Sequence, residues 1–171
     1  TASFFGILIL SPLFIFISLW VGLSSKGGVF YKQIRVGKNN KDFKLYKFRS
    51  MRVNSDKQGL LTVGSKDSRI TKAGYFIRKY KIDELPQLIN VLKGDMSFVG
   101  PRPEVRRYVD LYSEEQMKVL SVRPGITDPA SIKYRNENDI LSSASNPEQY
   151  YIQQIMPDKL KINIDYINNR T

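Results

Sequence analysis

From Thr1 to Ser25 the chain carries no charged side chain, and Phe4 to Leu23 reads FFGILILSPLFIFISLWVGL. Those 20 residues are enough, as one helix, to reach across a bilayer. Ser11-Pro12 interrupts the run near its middle. Proline removes the hydrogen bond to the Leu8 carbonyl and its ring crowds that turn, which predicts two helical arms meeting at a bend. Each arm of about 11 residues is roughly 16 Å long at about 1.5 Å per residue, near half of a ~30 Å hydrocarbon core. A helix that enters and leaves on one face fits those lengths, and so does a spanning helix kinked by proline. Trp20, followed by Lys26, Tyr31, Lys32 and Arg35, reads as an aromatic belt and then a cationic anchor for lipid headgroups.

A length of 171 residues suits one ordinary core and is short for two full domains. The expected organisation is a membrane helix over residues 1–25 and a membrane-associated catalytic globule over 26–171. Lys and Arg number 27 against 16 Asp and Glu, a net charge of +11 that predicts attraction to phosphates, anionic lipid or nucleic acid without choosing among them. There is neither cysteine nor histidine. Disulfides, thiol nucleophiles, zinc sites of the usual ligand types and every Ser-His-Asp arrangement are thereby excluded. Catalysis has to run on carboxylates, Lys, Arg, Tyr or hydroxyls.

Past Gly27-Gly28, residues 29–36 and 42–51 alternate around the turn GKNN, which predicts a β-hairpin. Residues 54–67 are polar and aperiodic, predicting a loop that orders around a ligand. Ser68 is a candidate cap for a helix to about Tyr80, with Ile70, Ala73, Phe76, Ile77 and Tyr80 on its core face. IDELPQLINVLKG is predicted as the next helix, with Leu85, Leu88, Ile89 and Leu92 as its stripe and Gly94 as its stop. GDMSFVGPRPE (94–104) and RPGITDPA (123–130) read as loops punctuated by Pro and Gly. Between them a short helix near 104–112 is expected, then a second that starts from the capping box Ser113-Glu114-Glu115-Gln116. A last helix is expected around 146–156, while the alternating LKINIDY (160–166) is left unassigned. The fold class is α+β: an N-terminal bent membrane helix, then a small, mainly helical globule with a β-hairpin.

Asp83 and Glu84 fall at the N-terminal edge of a predicted helix, where free N–H groups and the positive dipole end favour both ionised carboxylates and bound phosphate. A hard Mg²⁺ takes one or two carboxylates plus phosphate oxygens and water, which this pair can provide. An Asp at a helix start is also an ordinary N-cap. Arg78, Lys79 and Lys81 precede the pair, Lys47 and Arg49 end the hairpin, and Arg102, Arg106 and Arg107 follow the next loop. Converging arginines would hold a diphosphate through planar, bidentate contacts. Taken singly, Lys47, Lys79 and Lys81 read equally well as solvated or lipid-facing charges. Pro101 and Pro103 stiffen the chain around Arg102, either to aim its guanidinium or as a plain turn. Tyr108, Tyr112, Tyr134, Tyr150 and Tyr151 read as packing residues, since no RNA-binding fingerprint surrounds them. A non-catalytic basic module that docks on membrane or nucleic acid accounts for the charge and the apolar run, but not for the carboxylate pair.

The Ser11-Pro12 break, YKFRSM (46–51), IDELPQLINVLKGDMSFVGPRPE (82–104) and RPGIT (123–127) together resemble the bacterial sugar transferases, or monotopic phosphoglycosyl transferases. The likeness covers nearly the whole chain. It is to the minimal form of the family, similar to the Campylobacter-type transferases for diacetylbacillosamine phosphate. The resemblance implies a re-entrant helix bent at Ser11-Pro12, at the bacterial inner membrane, with the catalytic part on the cytoplasmic face. It also implies Mg²⁺, a UDP-sugar donor and undecaprenyl phosphate as acceptor, with the phospholipid bilayer and no nucleic acid among the partners. Asp83 would attack the sugar-bearing phosphorus to give a phosphosugar-aspartate and UMP, after which polyprenyl phosphate attacks. Glu84 would assist proton transfer or orient the metal. Arg78 and Arg102 would hold phosphate charge, with Lys47, Arg49 and Arg106 as further candidates, and Pro101 to Pro103 would shape the nucleotide side. One departure is Asp128, where many relatives carry glycine.

Overall fold

Pro12 divides the apolar run as its chemistry dictates. In the computed structural model, which describes residues 2–55, 59, 61–64 and 67–169, helix α1 (Ala2–Ile9) and helix α2 (Ser11–Ser24) meet at a bend of 60°. Leu10 sits between them at φ −84°, ψ 1°, and proline occupies the first turn of α2. Gly6 O and Leu10 O still receive their bonds, from Leu10 N at 3.0 Å and Phe14 N at 2.9 Å. Among the described residues no single helix is long and apolar enough to cross a membrane, whereas the bent pair passes that test of length and composition together.

The chain forms two compact units: Thr1–Gln33, Leu45–Thr62 and Lys66–Gly94 in one, and Ile34–Lys44, Val63–Ser65 and Asp95–Thr171 in the other. The predicted hairpin is present as β1 (Phe30–Val36) paired with β2 (Asp42–Phe48). Its turn is closed by Gly37 N donating to Lys41 O, with Asn39 and Asn40 at positive φ.

In the first unit, α2 buries Ile17 and Val21, one turn apart, against Phe48 and Ile77. Its other face leaves Ile15, Phe16, Leu19 and Leu23 exposed, as α1 leaves Phe4, Phe5, Leu8 and Ile9. Helix α3 (Lys72–Lys79) is capped by Thr71, whose Oγ1 accepts from Gly74 N at 2.9 Å, and not by Ser68 as expected. The reason is an antiparallel bridge between Met51 and Ile70, which keeps the chain extended until residue 71. Of the predicted core face Ala73 and Ile77 are buried, but Phe76 and Tyr80 are exposed and continue an aromatic row from Trp20.

The segment predicted as a single helix from Ile82 is split into a 3-10 turn (Ile82–Glu84) and helix α4 (Gln87–Lys93), ended by Gly94 in the left-handed region. Pro86 has no N–H to give the Ile82 carbonyl, so Leu85 N takes it three residues on, at 3.1 Å. The buried face of α4 is also more polar than its apolar stripe predicts: Gln87 and Asn90 are buried with Leu88, while Leu92 is exposed.

In the second unit both expected Pro/Gly loops contain strands. β3 (Ser97–Val99) and β4 (Gly125–Thr127) pair in parallel, Ser97 opposite Gly125 and Val99 opposite Thr127. Gly100 and Gly125 permit this approach, because a Cβ on Gly125 would strike the Gly100 backbone and one on Gly100 the Arg123 carbonyl. Helix α5 (Arg106–Val109) is shorter than expected. The capping box is present, Ser113 N donating to Gln116 Oε1 at 2.9 Å and Gln116 N to Ser113 Oγ at 3.3 Å, but it opens a 3-10 helix, Gln116–Ser121. After α6 (Pro129–Lys133) and α7 (Glu137–Ser143) come α8 (Pro147–Tyr150), a π turn (Tyr151–Ile155) and α9 (Met156–Asn169). LKINIDY is therefore helical. The wide turn immediately precedes Pro157, which cannot donate to its own helix.

Asp128 ties this unit together. It is buried, accepts from Ser131 N at 2.6 Å to cap α6, and receives Arg102 N at 3.0 Å and Asn163 Nδ2 at 2.7 Å. Asp128→Ala removes a cap worth about 1 kcal/mol and leaves buried donors unpaired at about 1–3 kcal/mol. A loss of about 3 kcal/mol, lowering Tm by roughly 6–12 °C in a chain of this size, is expected in a thermal scan. Asp128→Asn keeps the capping oxygen but turns an amide donor toward Arg102 N and Asn163 Nδ2, so it should also lower Tm, which the same scan reads.

Candidate active site

Three segments of the first unit deliver the candidate groups. The dyad Asp83-Glu84 lies on the 3-10 turn, Lys47 on β2, and Arg78 in the last turn of α3. Tyr46 N donates to Asn90 Oδ1 at 3.0 Å, which ties the strand carrying Lys47 to the helix that follows the dyad. Lys81 takes the left-handed conformation at φ 58°, so the chain reverses between α3 and the dyad. That geometry is sparsely populated for a side chain with Cβ, and it is held here by Lys81 N donating to Arg78 O and Glu84 N donating to Lys81 O.

Both carboxylates are sheltered, Asp83 4% and Glu84 9% exposed. Burial pushes the Asp83 carboxyl above the ordinary carboxylate value; Lys47, Arg78 and Lys81 pull against that, and the Glu84 charge adds to it. Glu84 Oε1 pairs with Lys47 Nζ at 3.6 Å, so Lys47 is an ion-pair partner in the site and not a freely solvated charge. Among the described residues Asp83 Oδ1 and Gln87 Nε2 are buried without a hydrogen-bond partner. A buried polar atom left open in this way can accept or donate to an incoming ligand, ion or water. No group of three metal-ligating side chains assembles among the described residues. Asp83 and Glu84 could offer a metal one or two carboxylates, with its remaining positions left to water and phosphate oxygens, a donor set suited to Mg²⁺.

Arg78 Nη2 donates to Thr62 Oγ1 at 3.0 Å, and Thr62 is brought there by a clamp that the sequence reading missed. Arg69 Nη1 donates to the carbonyls of Gly59 and Ser55 and Nη2 to that of Leu61, at 2.7, 3.2 and 2.6 Å. The same guanidinium pairs with Asp67 Oδ2 at 2.6 Å, and its hydrogen bonds hold the Asp67 carboxyl below the usual carboxylate range. Opposite charges two residues apart in a polar loop were a readable signal for this pair. Nothing local marked Thr62 or Gln87. Residues 56–58, 60, 65 and 66 of the predicted loop lie outside the described residues.

The other candidates have different surroundings. Arg49 donates to the carbonyls of Gly28 and Phe30 and lies over the Tyr31 ring, which fixes the exit from α2. In the second unit, Arg102 Nη1 donates to Ile126 O at 3.1 Å, and Pro101 and Pro103 are buried. Arg106 engages Asn40 and Asp42 at the hairpin tip. Arg35, expected as a lipid anchor, instead pairs with Glu104 at 2.9 Å. Burial would raise the Glu104 carboxyl, but Arg35, Val105 N and the Tyr151 hydroxyl outweigh it and hold Glu104 below its ordinary value. Tyr108 and Tyr151 are packed together as expected, ring centroids 5.1 Å apart.

A family model described as bacterial sugar transferase matches residues 1–171. The chain is 43% identical over 157 residues to the UDP-N-acetylgalactosamine-undecaprenyl-phosphate N-acetylgalactosaminephosphotransferase of Aeromonas hydrophila, an alignment over 89% of this chain and 37% of that protein. It is 47% identical over 136 residues to the uncharacterized sugar transferase EpsL of Bacillus subtilis, covering 80% and 66%. To the UDP-glucose:undecaprenyl-phosphate glucose-1-phosphate transferase of Escherichia coli it is 40% identical over 153 residues, covering 87% and 33%. It therefore spans between a third and two thirds of the lengths of these relatives. Matched by the family model from end to end, the chain belongs to the bacterial sugar transferase family.

Proposed function

We propose that this protein is a Mg²⁺-dependent phosphoglycosyl transferase that moves a sugar 1-phosphate from a UDP-sugar to undecaprenyl phosphate and releases UMP. The observation that carries the reading is the buried Asp83-Glu84 dyad, set among Lys47, Arg78 and Lys81 with one carboxylate oxygen open, in a chain of this family. Names of relatives support the reaction class, since two combine undecaprenyl phosphate with a UDP-sugar. Those two names carry different sugars.

In the first step an Asp83 oxygen attacks the sugar-bearing phosphorus. A P–O bond forms to aspartate, the P–O bond to UMP breaks, and UMP departs with the electron pair. In the second step an oxygen of polyprenyl phosphate attacks the same phosphorus and the Asp83 carboxylate leaves unchanged, while Glu84 takes a proton from the acceptor where it arrives protonated. Bound to Asp83 or Glu84, Mg²⁺ would offset the charge of the diphosphate. Arg78, steadied by Thr62, is suited to fork onto a phosphate, and Lys47 shields Glu84 from the approaching anion. Assignment of Pro101, Arg102 and Pro103 to the nucleotide rests on the family resemblance alone.

The proposed location is the bacterial inner membrane, with the bent pair re-entrant and both its ends on the cytoplasmic side. Its outward face, where Leu23 is 89% exposed, would be covered by lipid. Cysteines placed at the exposed Ala2 and Ser24 should both react with a membrane-impermeant reagent in inverted vesicles and be protected from it in intact spheroplasts. Pro12→Ala should move a fraction of the Ala2 sites to the periplasm. Reaction of Ala2 in the parent chain from the periplasm alone would show a spanning helix.

For the chemistry, a UDP-sugar labelled in the sugar, given without polyprenyl phosphate, should release about one UMP per active site and leave label on Asp83 in a peptide map. Normal turnover by Asp83→Asn, or label on Glu84, refutes this route. Asp83 also gives a pH test, because attack needs its ionised form. Its folded pKa lies above the unfolded value of about 3.9. The folded protein therefore carries a stability cost at neutral pH, which fades as pH falls through the folded pKa and is gone below the unfolded one. Asp83→Asn should raise Tm at neutral pH in chelator, by an amount that shrinks toward about pH 4, while losing transfer at every pH. A lowered Tm at neutral pH would contradict the assignment of the buried charge.

A further inference from the structure

At the end of α2 the first unit has a cleft of about 600 Å³ lined by Lys26, Arg52 and Lys72 together with Ser25, Val53 and Thr71. Among the described residues no carboxylate lines it, and none of the three cations has an ion-pair partner. Three cations around one hollow repel one another, so an anion entering it is favoured. The site stands apart from Asp83 and Glu84, neither of which lines it.

The hollow is built by backbone. Met51 bridges Ile70, Arg52 N donates to Arg69 O at 2.8 Å, and Thr71 N donates to Ser50 O at 3.0 Å, which sets Arg52 and Lys72 on two tied segments. Gly74 lets α3 close on this pair, because a Cβ there would collide with the Ser50 carbonyl. Ser55 N and Oγ both donate to Arg52 O, so the residue carrying the guanidinium is bonded at both its N–H and its carbonyl. On the other wall Lys26 follows α2, and Gly27 packs so tightly against Val53 that a Cβ would come within 2.6 Å of it.

Position names the anion. Leu19 and Leu23 on the outer face of α2 are among the most exposed apolar side chains, and the cationic lining begins at Ser24 and Ser25, directly beyond them. An apolar surface that gives way to a cationic hollow matches the order of acyl chain and phosphate in a phospholipid. Val53, half exposed on the rim, extends the apolar side. We propose that this cleft binds the phosphate of an anionic phospholipid headgroup, as a lipid site separate from the catalytic dyad. The proposal rests on the membrane reading of the bent pair.

The full chain in phosphatidylcholine nanodiscs with a minority of phosphatidylglycerol tests it, using phosphatidylglycerol that carries a photoreactive group either in the head or in the acyl tail. The head probe should label peptides containing Ser25, Val53 and Thr71. The double variant Arg52→Gln, Lys72→Gln should lower that labelling about 30-fold, the ratio that corresponds to roughly 2 kcal/mol for two charges at the membrane surface. The control Lys118→Gln, Lys161→Gln should leave it unchanged, with thermal melts reporting that both variants are folded. Equal losses in the two variants reduce the effect to net charge and overturn the site. Protection of the cleft by inorganic phosphate as strong as that by lipid makes a soluble phosphate the occupant and overturns the lipid assignment. Tail labelling at Leu19 and Leu23 without head labelling in the cleft overturns the headgroup site and leaves the membrane reading standing. Absence of both overturns the two together.

Discussion

Two adjacent carboxylates buried on one turn are the constraint around which the first unit is organised. Moving a single carboxylate out of water costs several kcal/mol even after relaxation, far more than the 0.2–1 kcal/mol an exposed ion pair of the usual kind returns. Lys47, Arg78 and Lys81 reduce that cost without removing it, since Asp83 remains above its ordinary carboxyl value. An unfavourable charge retained in a folded protein is the kind of feature that clusters at functional sites. Each neighbour that makes it bearable arrives on a different segment, and each segment has its own lock: Asn90 for the strand of Lys47, Thr71 for the helix of Arg78, and the left-handed Lys81 for the turn itself.

Pro86 decides the form of that turn. An α-helix through Ile82 to Gly94 would need the N–H that proline lacks, and the tighter 3-10 geometry is the local answer. Asp83 and Glu84 therefore precede α4 without belonging to it, and the polar buried face of α4 presents Gln87 and Asn90 in the turns that follow. Pro12 acts by the same chemistry at the other end of the unit, where a missing donor becomes a 60° bend. The second unit uses a different device, the approach of two glycine-bearing strands, with Asp128 bonding the chain around Arg102, the start of α6 and α9 to one carboxylate.

Much of this could be read from residue order, because the governing physics is local. A proline inside an apolar run breaks a helix whatever surrounds it, a β-hairpin follows from alternation around an Asn-rich turn, and the capping box at Ser113 is a four-residue signature. Family membership was readable for the same reason, from a long ordered motif through the dyad. The misreadings came where distant residues compete. Ser68 lost the helix start to a bridge between Met51 and Ile70, and the two Pro/Gly loops became parallel strands because their glycines meet each other. Arg35 reads as a lipid anchor because nothing near it in sequence announces Glu104.

The sequence by itself therefore determined the bend, the hairpin, the exclusion of thiol and imidazole chemistry, and the identity of the two carboxylates, all of which depend on side-chain type and on spacings of a few residues. Only the tertiary structure decided that those carboxylates are buried, that Lys47 is the partner of Glu84, that Thr62 reaches Arg78 through the Arg69 clamp, and that Lys26, Arg52 and Lys72 share one cleft. Burial and charge pairing depend on which segments pack together, and that is set by the summed free energy of the whole chain, which no short window contains.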